Sequence, residues 1–201
     1  MKILVLSGSR NPEGKTALAI NRLCRGADGA GATTEAVFLP NVKLDHCRQC
    51  DMDGNGLCTR EGRCIIEDDF AGIVDKMNEA DVLVLATPVY FGDLSESVRR
   101  FFERYRRVRF HPVIAGGPPP AGPGKPVMLL CYAGGMSGNG TVSCAAAVQG
   151  VVQLCGFDIV DVFLARRQNL EMKLPLLELT GAWLATGPSS GRPLTYAETQ
   201  D

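Results

Sequence analysis

Four cysteines fall within eighteen residues, Cys47, Cys50, Cys58 and Cys64, spaced C-x2-C-x7-C-x5-C. Four thiolates are the right number for zinc or for an iron–sulfur cluster, and a C-x2-C pair lets two sulfurs reach one metal site. Unliganded thiols or a disulfide stay open as alternatives. Asp51, Asp53, Asn55 and Gly56 in the same stretch imitate the start of a calcium loop. The twelfth place, which needs Glu, holds Gly62, and flanking helices are missing, so ordinary turn chemistry is the expected role.

The second chemically suggestive stretch is Lys2 to Thr16, KILVLSGSRNPEGKT. Ile3, Leu4, Val5 and Leu6 are a short continuous apolar run, the signature of a central parallel strand covered on both faces. Turn formers and small hydroxyl residues from Ser7 to Gly14 follow, and a helix opens at about Lys15. A helix N-terminus offers unpaired N–H groups and a positive dipole end, so this loop suits an anion. It is not a Walker loop, because five residues rather than four separate Gly8 from Gly14-Lys15-Thr16. The next strong strand also ends in Thr87-Pro88 rather than in an Asp for magnesium. The dinucleotide pattern G-x-G-x-x-G is absent as well. A hydroxyl-rich loop with no metal-binding Asp fits a phosphate monoester, such as that of a flavin mononucleotide.

The elements that must carry these loops follow from periodicity. After the first helix, Ala36-Val37-Phe38-Leu39, preceded by Thr33-Thr34, makes a second strand that Pro40 closes. Residues 41 to 66 are polar, cysteine-rich and without regular periodicity, and a loop of that length in a compact domain is commonly functional. A helix starts at Glu67-Asp68-Asp69, with acidic residues at its positive end. A third strand spans Asp81 to Ala86, a helix Glu96 to about Arg107, a fourth strand Val127 to Tyr132, a helix Thr141 to Leu154 and a fifth strand Phe157 to Leu164. The last helix covers Leu170 to Ala185, with Pro175 its expected break. Pro112 to Pro126 reads as a surface excursion and the tail from Gly187 as loose. Strands alternating with helices imply a parallel sheet with right-handed crossovers, in which ligands bind at the carboxyl ends of the strands.

Composition narrows the function classes. The chain has 201 residues, 45% of them hydrophobic, and a formal charge of -1. Near-neutral charge argues against bulk attraction to nucleic acid or anionic membrane. No apolar run is long enough to span a bilayer, and the apolar N-terminus is too short for a signal peptide, so a cytoplasmic protein is expected. Residues 1–186 are expected to form a single domain with a cysteine-rich insertion at 45–66, and 187–201 a C-terminal tail.

With three loops at strand ends in place, the sequence resembles the flavodoxin-like NAD(P)H-dependent FMN reductase family, and within it the iron–sulfur flavoproteins, over roughly residues 1 to 165. The resemblance is carried by Gly8-Ser9-Arg10 with Gly14-x-Thr16, by Pro88-Val89-Tyr90-Phe91-Gly92 with Leu94-Ser95, and by Ala133-Gly134-Gly135. It implies a doubly wound α/β fold with five parallel strands in the order 2-1-3-4-5 and FMN as cofactor. Ser9, Arg10, Lys15 and Thr16 would surround the FMN phosphate. Pro88, Val89, Tyr90, Phe91 and Gly92 would lie along the flavin ring, and Ala133, Gly134 and Gly135 would form a third flavin loop. It also implies a four-iron, four-sulfur (4Fe-4S) cluster on Cys47, Cys50, Cys58 and Cys64, although this chain has a longer gap between its second and third cysteines than the family motif. An aromatic wall with close backbone approach suits an isoalloxazine ring. Tyr90 and Phe91 could equally pack the end of the sheet.

These features point to an oxidoreductase in which the flavin, and no side chain, carries the chemistry. Electrons would pass between a donor, NAD(P)H or a reduced iron–sulfur carrier, and an acceptor. The alternatives are a cluster-free NAD(P)H-dependent quinone or FMN reductase and a non-enzymatic flavodoxin-type carrier. A dimer or tetramer is implied by the same resemblance. Arg99, Arg100, Arg104, Arg106, Arg107 and Arg109 are read as a solvated or subunit-facing helix surface, with a dock for dinucleotide phosphates as the competing reading. Cys24, Cys131, Cys144 and Cys155 are expected in the core. His46 and His111 read as loop residues, His46 placed to tune a metal site beside Cys47.

Overall fold

The structure is a computed structural model that describes residues 1–50, 56–109, 124–135 and 140–189. Asp51, Asp53, Asn55, His111, most of the Pro112 to Pro126 connection and the end of the tail lie outside the described residues. Five strands form one sheet: β1 (Lys2–Ser7), β2 (Thr33–Phe38), β3 (Val82–Pro88), β4 (Pro126–Ala133) and β5 (Asp158–Arg166). Every pairing is parallel and the order is β2-β1-β3-β4-β5, the flavodoxin-like arrangement that the resemblance implies.

Strand alternation divides the core in two. Leu4, Leu6, Leu83, Leu85, Leu129 and Cys131 point to one face, where they meet α3 (Phe70–Glu79), α4 (Glu96–Arg109) and α5 (Gly140–Leu154). Ile3, Val5, Val82, Val84, Met128 and Leu130 point to the other, against α1 (Lys15–Gly29) and α6 (Leu170–Leu184). Because both faces are covered, β1, β3 and β4 are buried along almost their whole lengths, which explains their unbroken apolar runs. The edge strands β2 and β5 are half-exposed and mix polar with apolar residues.

Helices α1 and α6 touch backbone to backbone. A Cβ on Gly26 would lie 1.8 Å from the Glu178 carbonyl oxygen, and one on Gly181 would lie 1.9 Å from that of Leu23. Arg22 and Arg25 hold Glu178 from the adjoining surface.

Three expectations need correction. Helix α6 runs unbroken through Pro175. Both Pro175 and Glu171 are exposed, so the carbonyl that the missing N–H would have bonded faces water and the helix continues. Cys24 is half-buried rather than in the core, whereas Cys131, Cys144 and Cys155 are buried as expected. Arg104 is not on the surface at all but 2% exposed beneath the cysteine segment. That segment also contains a one-turn helix, α2 (Leu57–Arg60), too short to leave a periodic signal.

Candidate functional site

Three loops leave the carboxyl ends of β1, β3 and β4 and enclose a cleft of about 550 Å³, a volume typical of small-molecule sites. The first loop is held from within. The Gly8 N–H donates to the Ala86 carbonyl at 2.8 Å, the Ser9 hydroxyl to the Asn11 carbonyl at 3.2 Å, and the Glu13 N–H to Asn11 Oδ1 at 2.9 Å. Gly14 stands at the N-cap of α1 and has no side chain with which to cap it. The first-turn amides of α1, which have no intrahelical acceptors, therefore start at the cleft that Lys15 and Thr16 line. Thr16 is buried, and Lys15 reaches Glu171 at 3.6 Å.

The second loop turns over Tyr90-Phe91-Gly92-Asp93. Tyr90 and Asp93 exchange N–H···O bonds at 3.1 and 2.9 Å, and Phe91 and Gly92 have φ of 54° and 77°. Two successive left-handed residues make this a type I′ turn, easy for Gly92 and strained for Phe91. Phe91 is fully exposed and Tyr90 half so, which rules out the alternative that they pack the end of the sheet. Thr87 Oγ1 accepts the Ser95 N–H at 2.9 Å and fixes the start of α4 beneath the turn. The third loop brings Ala133, Gly134 and Gly135 to the same cleft, and Ser143 donates to the Gly92 carbonyl at 2.8 Å.

Ser9, Lys15, Thr16, Pro88, Val89, Tyr90, Phe91, Gly92, Ala133, Gly134 and Gly135 thus line one cleft. Arg10 lines an adjoining one with Gly8, Asp93, Ser95 and Arg99, while Tyr90 and Phe91 form the ridge shared by both. Sequence reasoning missed Tyr132 and Gly140, which complete the first cleft. Tyr132 looked like any apolar residue at a strand end. Its burial, partly opposed by Arg167, raises the phenol pKa.

The cysteine segment forms a second centre. Cys47, Cys50, Cys58 and Cys64 line one cavity of about 20 Å³ with Leu57, Ile65, Ile66, Arg104 and Arg107. All four are free thiols, Cys50 exposed and the others half-buried. Among the described residues no three His, Cys, Asp or Glu side chains are grouped tightly enough to hold a metal ion. The cavity has room for about one water. The donor set fits such a group: four thiols on one apolar cavity, with Arg48, Arg104 and Arg107 in its lining to offset the negative charge of thiolates. Burial pushes the Cys58 thiol up, Arg107 opposes this, and charge on Cys64 and Cys47 adds to it, so these sulfurs sense one another.

Around this cavity the basic helix is mostly paired. Arg99 binds Asp93; Arg100 binds Glu96 and donates to the Leu44 carbonyl at 2.7 Å; Arg104 grips Asp68 at 2.6 and 2.9 Å. His46 turns its Nε2 to Glu96 at 3.3 Å and does not line the cavity. Among the described residues no helix is long and apolar enough to cross a membrane.

Comparison with known proteins agrees with this geometry. An iron-sulfur flavoprotein of Methanocaldococcus jannaschii is 38% identical over 109 residues, 54% of each chain. The chain thus spans about half the length of the curated relatives it matches. The NAD(P)H:quinone oxidoreductase of Methanothermobacter marburgensis superposes with a TM-score of 0.66 at 16% identity, over 92% of this chain and 96% of that one. Two-electron reduced Megasphaera elsdenii flavodoxin does so at 0.55 and 16%, over 90% and 98%. At such identities these two structures speak for the fold. Residues 1–165 match the NADPH-dependent FMN reductase family, and the chain belongs to that family.

Proposed function

We propose that the chain is an FMN-dependent oxidoreductase that moves electrons between NAD(P)H, or a reduced iron–sulfur carrier, and an acceptor, with a 4Fe-4S cluster on Cys47, Cys50, Cys58 and Cys64. The observation that carries the reading is the presence of two centres: a strand-end cleft with an anion-ready helix start, and a cavity gathering all four cysteines. Bound FMN supplies the redox chemistry, because a flavin exchanges electrons with both two-electron and one-electron partners. Ser9, Thr16, Lys15 and the first turn of α1 receive its phosphate, with Arg10 approaching from the neighbouring cleft. Tyr90 and Phe91 form an apolar wall for the ring, while Gly92, Gly134 and Gly135 permit close backbone approach.

Residues 1–186 act as one domain that assembles into a homo-oligomer. Helix α6 supports this. Met172, Leu176, Leu179 and Trp183 are exposed and lie within an arc of about 60° opposite its core-facing residues. A helix apolar on two opposite faces is suited to burial on both. Gel filtration should report a dimer or larger, and a monomer at micromolar concentration would remove the oligomer from this reading.

The experiment for the function is an absorption spectrum of protein purified without oxygen, with iron, sulfide and zinc analysis. Flavin bands with about four iron and four sulfide per chain are expected. Flavin with no iron leaves a cluster-free reductase; stoichiometric zinc makes the cysteine centre structural. A protein that cannot be loaded with FMN refutes the whole assignment.

A further inference from the structure

We infer that the buried Arg104–Asp68 pair is the positioning device of the cysteine centre: Asp68 closes the two ends of the cysteine segment, and Arg104 presents a cation and N–H donors to the sulfur of Cys64 and to whatever the cavity holds. The inference rests on the cluster-bearing reading above.

The geometry is specific. The Asp68 carboxylate accepts the Asp45 N–H at 2.7 Å and the Phe70 N–H at 3.2 Å, while Arg104 Nη1 donates to the Asp45 carbonyl at 3.0 Å. Residues 45 and 68, on either side of all four cysteines, are therefore tied at one point. Arg104 Nη2 bonds Asp68 Oδ1 at 2.9 Å and reaches Cys64 Sγ at 3.4 Å, and the guanidinium lies 4.2 Å over the Phe70 ring.

Stability alone does not explain this arrangement. The two side chains are 1% and 0% exposed, and a buried ion pair often contributes no more than well-packed apolar residues of the same volume. Arg104 supplies what leucine or methionine cannot, a fixed positive charge and N–H donors at a sulfur. A second observation concerns the same side chain. Arg104 Nε is buried and has no hydrogen-bond partner among the described residues, and Arg104 lines the cavity. A buried donor without an acceptor is costly, and a sulfur brought in by a bound cluster is an acceptor of the right kind. Hydrogen bonds to sulfur and nearby charge set the reduction potential of such groups.

The test uses the full chain, anaerobically reconstituted, as wild type, Arg104→Gln and Asp68→Asn. Redox titration followed by electron paramagnetic resonance measures the reduction potential of the cluster, and loss of its absorbance to a chelator measures retention. Both variants should lose iron at least about tenfold faster, because both open the clasp. Their potentials should move in opposite directions. Arg104→Gln removes a cation and disfavours the added electron, lowering the potential by about 59 mV for a tenfold change in the one-electron equilibrium. Asp68→Asn removes an anion and raises it. A merely structural clasp speeds iron loss in both and shifts the potentials together or not at all, which overturns the inference. Either variant suffices if the other does not fold, since the expected sign is separate for each. Wild type with a cluster and variants indifferent in potential refute this inference alone; wild type that takes up no iron refutes it together with the reading beneath it.

Discussion

Substituting Gly8 by alanine should loosen the flavin site without touching any residue that contacts the cofactor. A Cβ at Gly8 would lie 2.0 Å from Ser95 Oγ, 2.8 Å from Val98 Cγ2 and 3.1 Å from Ser95 Cβ. The Ser95 hydroxyl can rotate away, but Val98, on the core-facing side of α4, is fully buried and cannot. Carbon–carbon contacts are comfortable at about 3.5–4.0 Å, so the loop must retreat by about 1 Å. Gly8 is tied to Ala86 on one side and followed directly by Ser9, so the retreat carries Ser9 out of the cleft. Overpacking of this kind costs about 1–3 kcal/mol of stability. Losing one hydrogen bond to a charged phosphate costs about 1.5–3 kcal/mol, which is about 10- to 150-fold in affinity. The assay is quenching of FMN fluorescence on titration into apoprotein, with guanidinium denaturation in parallel. Val98→Ala added to Gly8→Ala makes room for the methyl and should restore part of the affinity, a coupling that a double-mutant cycle isolates. A Gly8→Ala variant that binds FMN within about threefold of wild type, a difference below about 0.7 kcal/mol, would show that the loop is not held by this contact.

Other perturbations test other links. Phe91→Gly relieves a left-handed residue that packs against nothing, so stability should hold or rise by up to about 1 kcal/mol while FMN affinity falls; a simple loss of stability would contradict the turn assignment. Gly181→Ala drives a methyl into the Leu23 carbonyl and should cost about 2 kcal/mol by chemical denaturation, whereas Gly150→Ala on α5, with nothing within 4 Å, should gain about 0.5–1 kcal/mol; equal signs would refute the packing argument. Burial pushes the Tyr105 phenol up to about 12, with Arg109 opposing and Cys155 adding. The folded state keeps a proton that the unfolded chain releases near pH 10, so the contribution is complete below pH 10 and is lost between pH 10 and 12, on the order of 2 kcal/mol. Tyr105→Phe should flatten that part of the stability–pH curve, and an unchanged curve would refute the assignment.

The chain was most legible where burial is two-sided. Ile3 to Leu6 and Val82 to Ala86 carry a strand signal that nothing else in the sequence imitates, and the loops after them inherit their places from the sheet. Tertiary neighbours decided the rest. Arg104 sits among five other arginines with nothing local to distinguish it, and partners distant in sequence, Asp68 thirty-six residues earlier first among them, make it an interior residue. Asp68 itself looked like a helix-start acid stabilised by the dipole, a role that its contact with the Phe70 N–H partly preserves. Pro175 failed as a break because its backbone consequences fall on the solvent side, and exposure of one turn is invisible in composition. Phe91 carried no signal of strain, since aromatic-Gly reads equally as a wall and as a turn; its φ came only with coordinates.

Helix α4 runs from the strand-end cleft to the cysteine cavity. Its start is pinned under the strand-end cleft by the Ser95 amide on Thr87, and Gly8 rests on Ser95 and Val98. Along the adjacent ridge, Glu96, Arg100 and Arg104 recur every four residues and face the same way. Glu96 meets His46, Arg100 the Leu44 carbonyl, and Arg104 the Asp45 carbonyl, so the chain entering the cysteine segment lies along this ridge. Eight residues of helix between Glu96 and Arg104 span about 12 Å. That stretch of helix links the Ser95 contact beneath the strand-end cleft to the arginine that lines the cysteine cavity. Three of the six arginines have structural partners that account for them: Arg99 braces the Tyr90–Asp93 turn through Asp93, Arg100 binds Glu96 and the Leu44 carbonyl, and Arg104 binds Asp68.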